Sequence, residues 1–337
     1  MANPVLVEVT RGRLVESVHR GAVAVASADG SLRLEAGDVS HPVFARSAIK
    51  LVQALPMVES GACEKFGFGD AEIALACGSH TGTPRHVAVA RGMVERLGID
   101  ASCLVCGAAA PSGNAAARTV AASGASATTL HHTCSGKHLG FVAAAIARDE
   151  NPDGYGQPGH GVQLAVADAL ACMSRTPIDA MTVGMDGCAV PTFALPLADL
   201  ARLYAQIADS SAQNGPRREA IRRVLAACWA EPELVSGAGR TDTVVMSALP
   251  GRVYMKTGAE GVYCGALPDL GLGFALKIDD GAARASAAAV MPLIERLVPE
   301  ARGLVKRSVL RTASGIEVGA IRNSAAYGRH LDRLGSD

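Results

Sequence analysis

Aromatic residues make up only 4% of the 337-residue chain, with a single tryptophan, so a core has to be built from Ala, Val, Leu and Ile. Neither charge is in excess: Lys plus Arg number 32, and so do Asp plus Glu. That balance excludes the electrostatic footprint of a nucleic-acid or anionic-membrane binder. No run approaches the ~20 apolar residues that span a bilayer. The opening stretch from Met1 to Val7 has no basic region followed by a long apolar one, so no secretory leader is expected there. Nine cysteines, odd in number and scattered, do not make a disulfide framework and fit a reducing cytoplasm. An internal repeat, a Walker-type loop and a G-x-G-x-x-G after a strand are all missing. The basic run Arg217-Arg218 with Arg222-Arg223 reads as the solvated face of one helix.

What is present is apolar bulk. Hydrophobic residues reach 49% and charged ones 19%, enough for one catalytic unit over 1–337 or two intimately packed subdomains. Strands are expected over Val5–Val9, Leu14–Val18 and Gly21–Ser27, with Asp29-Gly30 turning into Leu32–Leu34. Further strands are expected at Glu72–Ala76, Met181–Met185, Thr243–Ser247, Gly251–Met255, Gly261–Cys264 and Gly271–Lys277. The spacing predicts helices over Ser47–Glu59 and from Thr83-Pro84 to Leu97, and the stretch His131–His138 leads into another that runs to about Arg148. Others are expected at Val162–Met173, Leu195–Ala208, Arg217–Trp229 and Ala283–Leu297, with a short strand near Gly315–Val318. Irregular alternation of the two types argues for an α/β (α+β) fold with a mixed β-sheet and flanking helices.

Ser47-Ala48-Ile49-Lys50 carries the chemistry that stands out first. On a helix, positions three apart are neighbours, so Ser47 and Lys50 present their polar ends side by side. A serine hydroxyl needs a base to become a nucleophile, and a neutral lysine can be that base. Lys256-Thr257-Gly258 follows far downstream, after an apolar run. S-x-x-K followed by K-T-G is the order used by penicillin-binding proteins and class A β-lactamases. The S-D-N element of that set has only a loose echo in Ser112-Gly113-Asn114, which reads as a turn. Together the two motifs point to an amidohydrolase working through an acyl-serine.

Two more constellations accompany them. In Cys77-Gly78-Ser79-His80-Thr81-Gly82, Ser79 is a candidate second catalytic hydroxyl; the alternative is a side-chain-stabilised turn with His80 satisfied nearby. Cys134, Lys137 and Gly184-Met185-Asp186-Gly187-Cys188 form a candidate zinc site, two sulfurs with a third donor drawn from Lys137, His131, His132 or His138. A lysine ligand must be neutral, which requires burial or the metal to depress its pKa. The alternative is two buried cysteines beside glycines. Cys103-x-x-Cys106, with no second pair at metal spacing, reads as core or strand.

Taken in order, Arg46-Ser47-x-x-Lys50, Cys77-Gly78-Ser79-His80, Cys134-Ser135-Gly136-Lys137-His138, Met185-Asp186-Gly187-Cys188 and Lys256-x-Gly258-Ala259-Glu260-Gly261 resemble the rhizobial-type (class 3) L-asparaginases. The resemblance covers nearly the whole chain. It implies a fold similar to serine β-lactamases and serine-type glutaminases, a homodimer, and hydrolysis of L-asparagine to aspartate and ammonia. It further implies two serine–lysine pairs, Ser47 with Lys50 and Ser79 with Lys256, and Zn2+ held by Cys134, Lys137 and Cys188. Arg46, Asp186 and His138 are then candidate substrate contacts, Asp186 for the α-ammonium group. Glutamine as substrate, a β-lactamase- or esterase-like activity of the same serine, and a non-catalytic zinc or thiol module are the competing readings.

Overall fold

A computed structural model describes residues 2–334; Met1, the first residue of the stretch searched for a leader, and residues 335–337 lie outside it. The first strands are β1 (Val5–Arg11), β2 (Leu14–Ser27), β3 (Leu32–Ala36) and β4 (Pro42–Phe44). After a 3-10 turn at Arg46–Ile49 come α1 (Lys50–Glu59), α2 (Ala62–Phe66), α3 (Asp70–Ala76) and α4 (Pro84–Leu97). Three helices follow, α5 (Asn114–Ala122), α6 (Ser135–Ala147) and α7 (Gly161–Ser174). The hairpin β5 (Thr182–Met185) and β6 (Pro191–Pro196) leads to α8 (Leu197–Ala208), α9 (Gly215–Ala230), α10 (Pro232–Val235) and α11 (Thr241–Ala248). The chain closes with β7 (Tyr254–Thr257), β8 (Val262–Leu267), β9 (Leu272–Ile278), α12 (Ala283–Leu297), β10 (Ser308–Arg311), β11 (Glu317–Asn323) and α13 (Ala325–Leu331).

The α/β (α+β) class holds, with helices flanking the sheet, which is antiparallel among the described residues where a mixed one was expected. The main sheet runs β10-β11-β1-β2-β9-β8-β7, with β3 also on β2, and a small second sheet runs β4-β6-β5. Every pairing among the described residues is antiparallel. Alternation along β2 sorts its two faces. Ala22, Ala24 and Ala26 join the core shared with α1, α3, α6 to α9, whereas Val23 and Val25 join a second core under α12 and α13. The small face lets α8 come close: a Cβ on Gly273 of β9 would lie 2.0 Å from Ala205 N. Close packing of Ala and Gly surfaces is how so apolar a chain makes its core with few aromatics.

Two expected strands are helices. Glu72–Ala76 belongs to α3, whose start is closed by the Glu72 carboxylate accepting the Gly69 N–H at 2.8 Å. Ile73, Ala74, Leu75 and Ala76 are all buried, and a run that short and uniformly apolar carries no period to separate helix from strand. Thr243–Ser247 lies in α11 for the same reason. Pro191 and Pro196 stand at the two ends of β6, which was not expected and which pairs with β5 and β4. The helix expected to start at Ser47 begins as a 3-10 turn, and α1 proper starts at Lys50.

Candidate active site

Four parts of the fold meet around Lys50. Ser47 sits on the 3-10 turn after β4, where Arg46 takes a left-handed backbone at φ 51°. That turn is held by Ala45 N–H donating to Phe193 O at 3.1 Å and by the Tyr204 hydroxyl of α8 donating to Ala48 O. Gly258, just past β7, packs against it so closely that a Cβ there would lie 3.0 Å from Ala45 O. Ser47 itself is half-buried, and among the described residues its hydroxyl has no hydrogen-bond partner.

Lys50 is fully buried. Its Nζ donates to Gly78 O and, at 3.1 Å, to Ser79 Oγ, and it lies 3.2 Å from Cys134 Sγ. Ser79 follows the C-terminal end of α3, not the end of a parallel strand, and its N–H donates to Val235 O at 2.7 Å. Lys256, also fully buried, donates to the Thr257 carbonyl at 2.8 Å. Burial lowers its pKa to about 8; Lys50 and Arg240 push the same way, while Asp242 and Cys134 oppose them. The structure thus gives Lys50 to Ser79, and no hydrogen bond joins Ser79 to Lys256 among the described residues.

His80 is neutral, its pKa held well down by burial and by His86 stacked at 4.9 Å. Its Nδ1 accepts the Gly82 N–H at 3.1 Å while Nε2 pairs with Ser135 Oγ at 2.8 Å. It is a structural residue of the turn. Ser112 reaches that turn through His80 O at 3.2 Å and then leads into α5, so the Ser-Gly-Asn stretch is a loop residue set, not part of the lysine cluster.

Cys134, at the start of α6, and Cys188, in the tight β5–β6 turn, come together. The Cys188 thiol donates to Cys134, which drives Cys134 well below the ordinary thiol range, aided by Lys50, and pushes Cys188 up. Lys137 Nζ lies 3.2 Å from Cys188 Sγ. Burial works against its charge, yet Cys134 and Cys188 outweigh it and raise its pKa. Two sulfurs and one amine, all buried, fit the donor chemistry of a zinc ion, which would have to displace the protons they now share. The histidines are engaged elsewhere: His131 with Thr128, His132 with the Cys134 N–H, His138 with Tyr155. Among the described residues no group of three or more His, Cys, Asp and Glu could hold a metal. Cys106 keeps its proton, pushed up to about 12 by burial.

Around this centre lie the groups expected to meet substrate. Arg46 contacts Asp186 Oδ1 through Nε at 3.0 Å and Nη2 at 2.9 Å, and the Gly187 N–H donates to the same oxygen at 2.8 Å. Asp186 Oδ2 has no partner among the described residues. His138 Nδ1 pairs with Tyr155 Oη at 2.7 Å, leaving a buried Nε2 with no partner among the described residues. Burial holds His138 well below the ordinary imidazole range, so it is neutral. Three residues escape a reading of the sequence: Asp242, Tyr263 and Tyr155. Thr241-Asp242 ahead of an apolar run is a helix-start signal that would have placed Asp242 on α11.

The family model for L-asparaginase II matches residues 7–323. No curated protein matches the chain. Among solved structures, a Bacteroides dorei protein described as a β-lactamase is 14% identical over 81% of this chain and 92% of its own, with TM-score 0.44. A β-lactamase from Mycobacterium bovis is 12% identical over 82% and 93%, with TM-score 0.32. The protein Mglu is 16% identical over 87% of this chain, with TM-score 0.35, and the chain spans 66% of its length.

Proposed function

The chain belongs to the L-asparaginase II family, and from that premise we propose that this amidohydrolase converts L-asparagine to L-aspartate and ammonia through an acyl-enzyme on Ser47. The observation that carries the reading is the buried Lys50 amine, three residues after Ser47 and 3.1 Å from Ser79 Oγ.

Ser47 Oγ attacks the side-chain amide carbon as Lys50, in its neutral form, takes the hydroxyl proton. A C–O bond forms, the oxyanion rests on backbone N–H groups including that of Ser47, and the C–N bond then breaks. Ser79, hydrogen-bonded to Lys50, hands the proton to the departing ammonia, with Lys256 as the second amine in reach of the relay. Water attacks the acyl-enzyme by the reverse proton route and releases aspartate. Asp186 Oδ2 receives the substrate's α-ammonium, Arg46 keeps Asp186 aimed, and His138 Nε2 offers a neutral contact.

Cys134, Lys137 and Cys188 would hold a zinc ion, which when bound supplies a fixed positive charge that orients substrate, since Ser47 already provides the nucleophile. A cytoplasmic homodimer is the proposed working form. Parallel measurement of ammonia release from L-asparagine and L-glutamine, on protein purified without chelator, tests the assignment. Release from asparagine supports it; release from glutamine alone reassigns the substrate, and release from neither in folded protein sinks it.

A further inference from the structure

Asp242 has no part in that scheme, yet it is only 1% exposed and carries three hydrogen bonds. Oδ2 accepts Ser236 Oγ at 3.0 Å and the Thr257 backbone N–H at 3.1 Å. Oδ1 accepts the Tyr263 hydroxyl. The donors lead to two parts of the candidate site. Ser236 follows Val235, whose carbonyl receives the Ser79 N–H at 2.7 Å. Thr257 follows Lys256, and its carbonyl receives Lys256 Nζ at 2.8 Å. Tyr263 is the residue paired with Thr257 across β7 and β8. A single buried side chain therefore ties the backbone that presents Ser79 to the strand that presents Lys256, although the two are far apart in the chain.

We propose that Asp242 is the positioning residue of this site, fixing the Ser79 loop against the Lys256 strand and setting a negative charge opposite the Lys256 amine. The proposal rests on reading Ser79 and Lys256 as reacting groups. A neutral isostere would not do the same work. An asparagine in this place has one accepting oxygen for three donors, and its NH2 faces a donor, which leaves buried polar groups unpaired. The groups whose charges act on Lys256 are Asp242 on α11, Arg240 just before it, Lys50 on α1 and Cys134 at the start of α6; Lys256 in turn acts on the Cys228 thiol of α9. Of these, Asp242 contributes the larger of the two opposing pulls that hold the Lys256 pKa up.

The test compares wild type with Asp242→Asn, Asp242→Glu and Tyr263→Phe, after circular dichroism confirms folding. Steady-state ammonia release from L-asparagine gives kcat and KM across roughly pH 6 to 10, and 13C-labelled lysine NMR follows the Lys256 titration without substrate. Asp242→Asn is expected to lower kcat about 10²-fold with KM changed by no more than about 3-fold, the pattern of misplaced reacting groups. Both the acid limb and the Lys256 titration should move down by about 1–3 units. Asp242→Glu should return both midpoints to wild type. Tyr263→Phe, which keeps the carboxylate, should lower kcat and leave the midpoints where they were. Unmoved midpoints in folded Asp242→Asn, or full kcat in that variant, overturn the proposal. Should Asp242→Asn not fold, Ser236→Ala and Tyr263→Phe decide: a kcat loss of about tenfold in each supports it, and wild-type kcat in both overturns it. A wild type that releases no ammonia defeats the functional reading alone, and the NMR midpoints then decide the role of Asp242.

Discussion

Lys50 Nζ donates to Ser79 Oγ at 3.1 Å, while Ser47, the serine one helical turn before the lysine, has no partner for its hydroxyl among the described residues. The reason is the direction of the lysine stem. Lys50 opens α1 and runs inward to Gly78 O and Cys134, burying its whole length. Ser47 sits half-buried on the preceding 3-10 turn. The amine is therefore bonded to the Ser79 hydroxyl, while Ser47 stands three residues before it in the chain.

From this arrangement the two serines should fail differently. Ser47→Ala removes the atom that forms the acyl bond and should abolish ammonia release while the melting temperature stays put. Ser79→Ala leaves the nucleophile but takes away a proton-transfer group, for a kcat loss of about 10²–10⁴. Mass spectrometry after quenching should show an acyl adduct in Ser79→Ala and none in Ser47→Ala. An adduct on Ser79 in the Ser47→Ala protein would exchange their roles.

Lys256 sets the expected pH dependence. Its pKa is lowered to about 8, chiefly by burial. The amine accepts protons only when neutral, and the neutral form predominates above that value. The rate should therefore rise through about pH 8 and fall about tenfold for each unit below it. Lys256→Met should lower the plateau and remove the limb centred there. A wild-type profile flat from pH 6 to 9, roughly the span over which the amine would titrate, would take Lys256 out of the proton route.

Lys50, Ser79, Cys134, Lys137 and Cys188 were legible as candidates in the sequence, and long-range packing brings them together. The serine–lysine partnership was not readable, since a stem as long as lysine's can reach any of several groups and tertiary packing chose Ser79. Asp242 was hidden by the α11 segment, whose Thr243–Ser247 run looks like a strand. Glu72–Ala76 misled in the same way, and with it the notion that Ser79 ends a strand. Parts of the sheet, built from Val-rich alternation, read well: β2 and β9, like helix α12, lie within a few residues of their expected bounds, apart from the joining of two runs into one long β2, whereas β4, β6 and β10 were not expected.

The sulfur pair offers a test that does not depend on turnover. Lys137 is buried with Cys188 as its hydrogen-bond partner and Cys134 as the nearby thiolate. Cys188→Ala takes away that partner and one zinc donor together. A buried charge that loses a partner costs about 3 kcal/mol, so the variant should melt markedly lower. If zinc is bound, chelator-free wild type should carry about one equivalent per chain, and Cys188→Ala close to none. Thermal melting reads the first quantity and elemental analysis the second. A metal content unchanged by Cys188→Ala would place any zinc elsewhere.

Gly136 shows how tightly the fold sets the site. A Cβ at this position of α6 would lie 2.2 Å from Leu75 O and 2.6 Å from Leu75 C, both backbone atoms of α3. Leu75 O is also the acceptor for the Gly78 N–H at 2.9 Å, the bond that shapes the turn into Ser79. Gly136→Ala must therefore push α6, with Cys134 and Lys137, away from the turn that Lys50 holds. The expected cost is about 3 kcal/mol of stability, the upper end for overpacking, with kcat lost along with it. Gly140, one turn later on the same helix, is a fair control, because its Cβ would meet Ala76 Cβ at 3.3 Å and Met57 Sδ at 3.4 Å. There the gain in helix propensity, about 1 kcal/mol, offsets the tighter contact, and stability and kcat should stay near wild type. Chemical denaturation and steady-state kinetics on both variants decide it. Equal behaviour of Gly136→Ala and Gly140→Ala would mean that the α3–α6 contact does not govern the placement of Ser79.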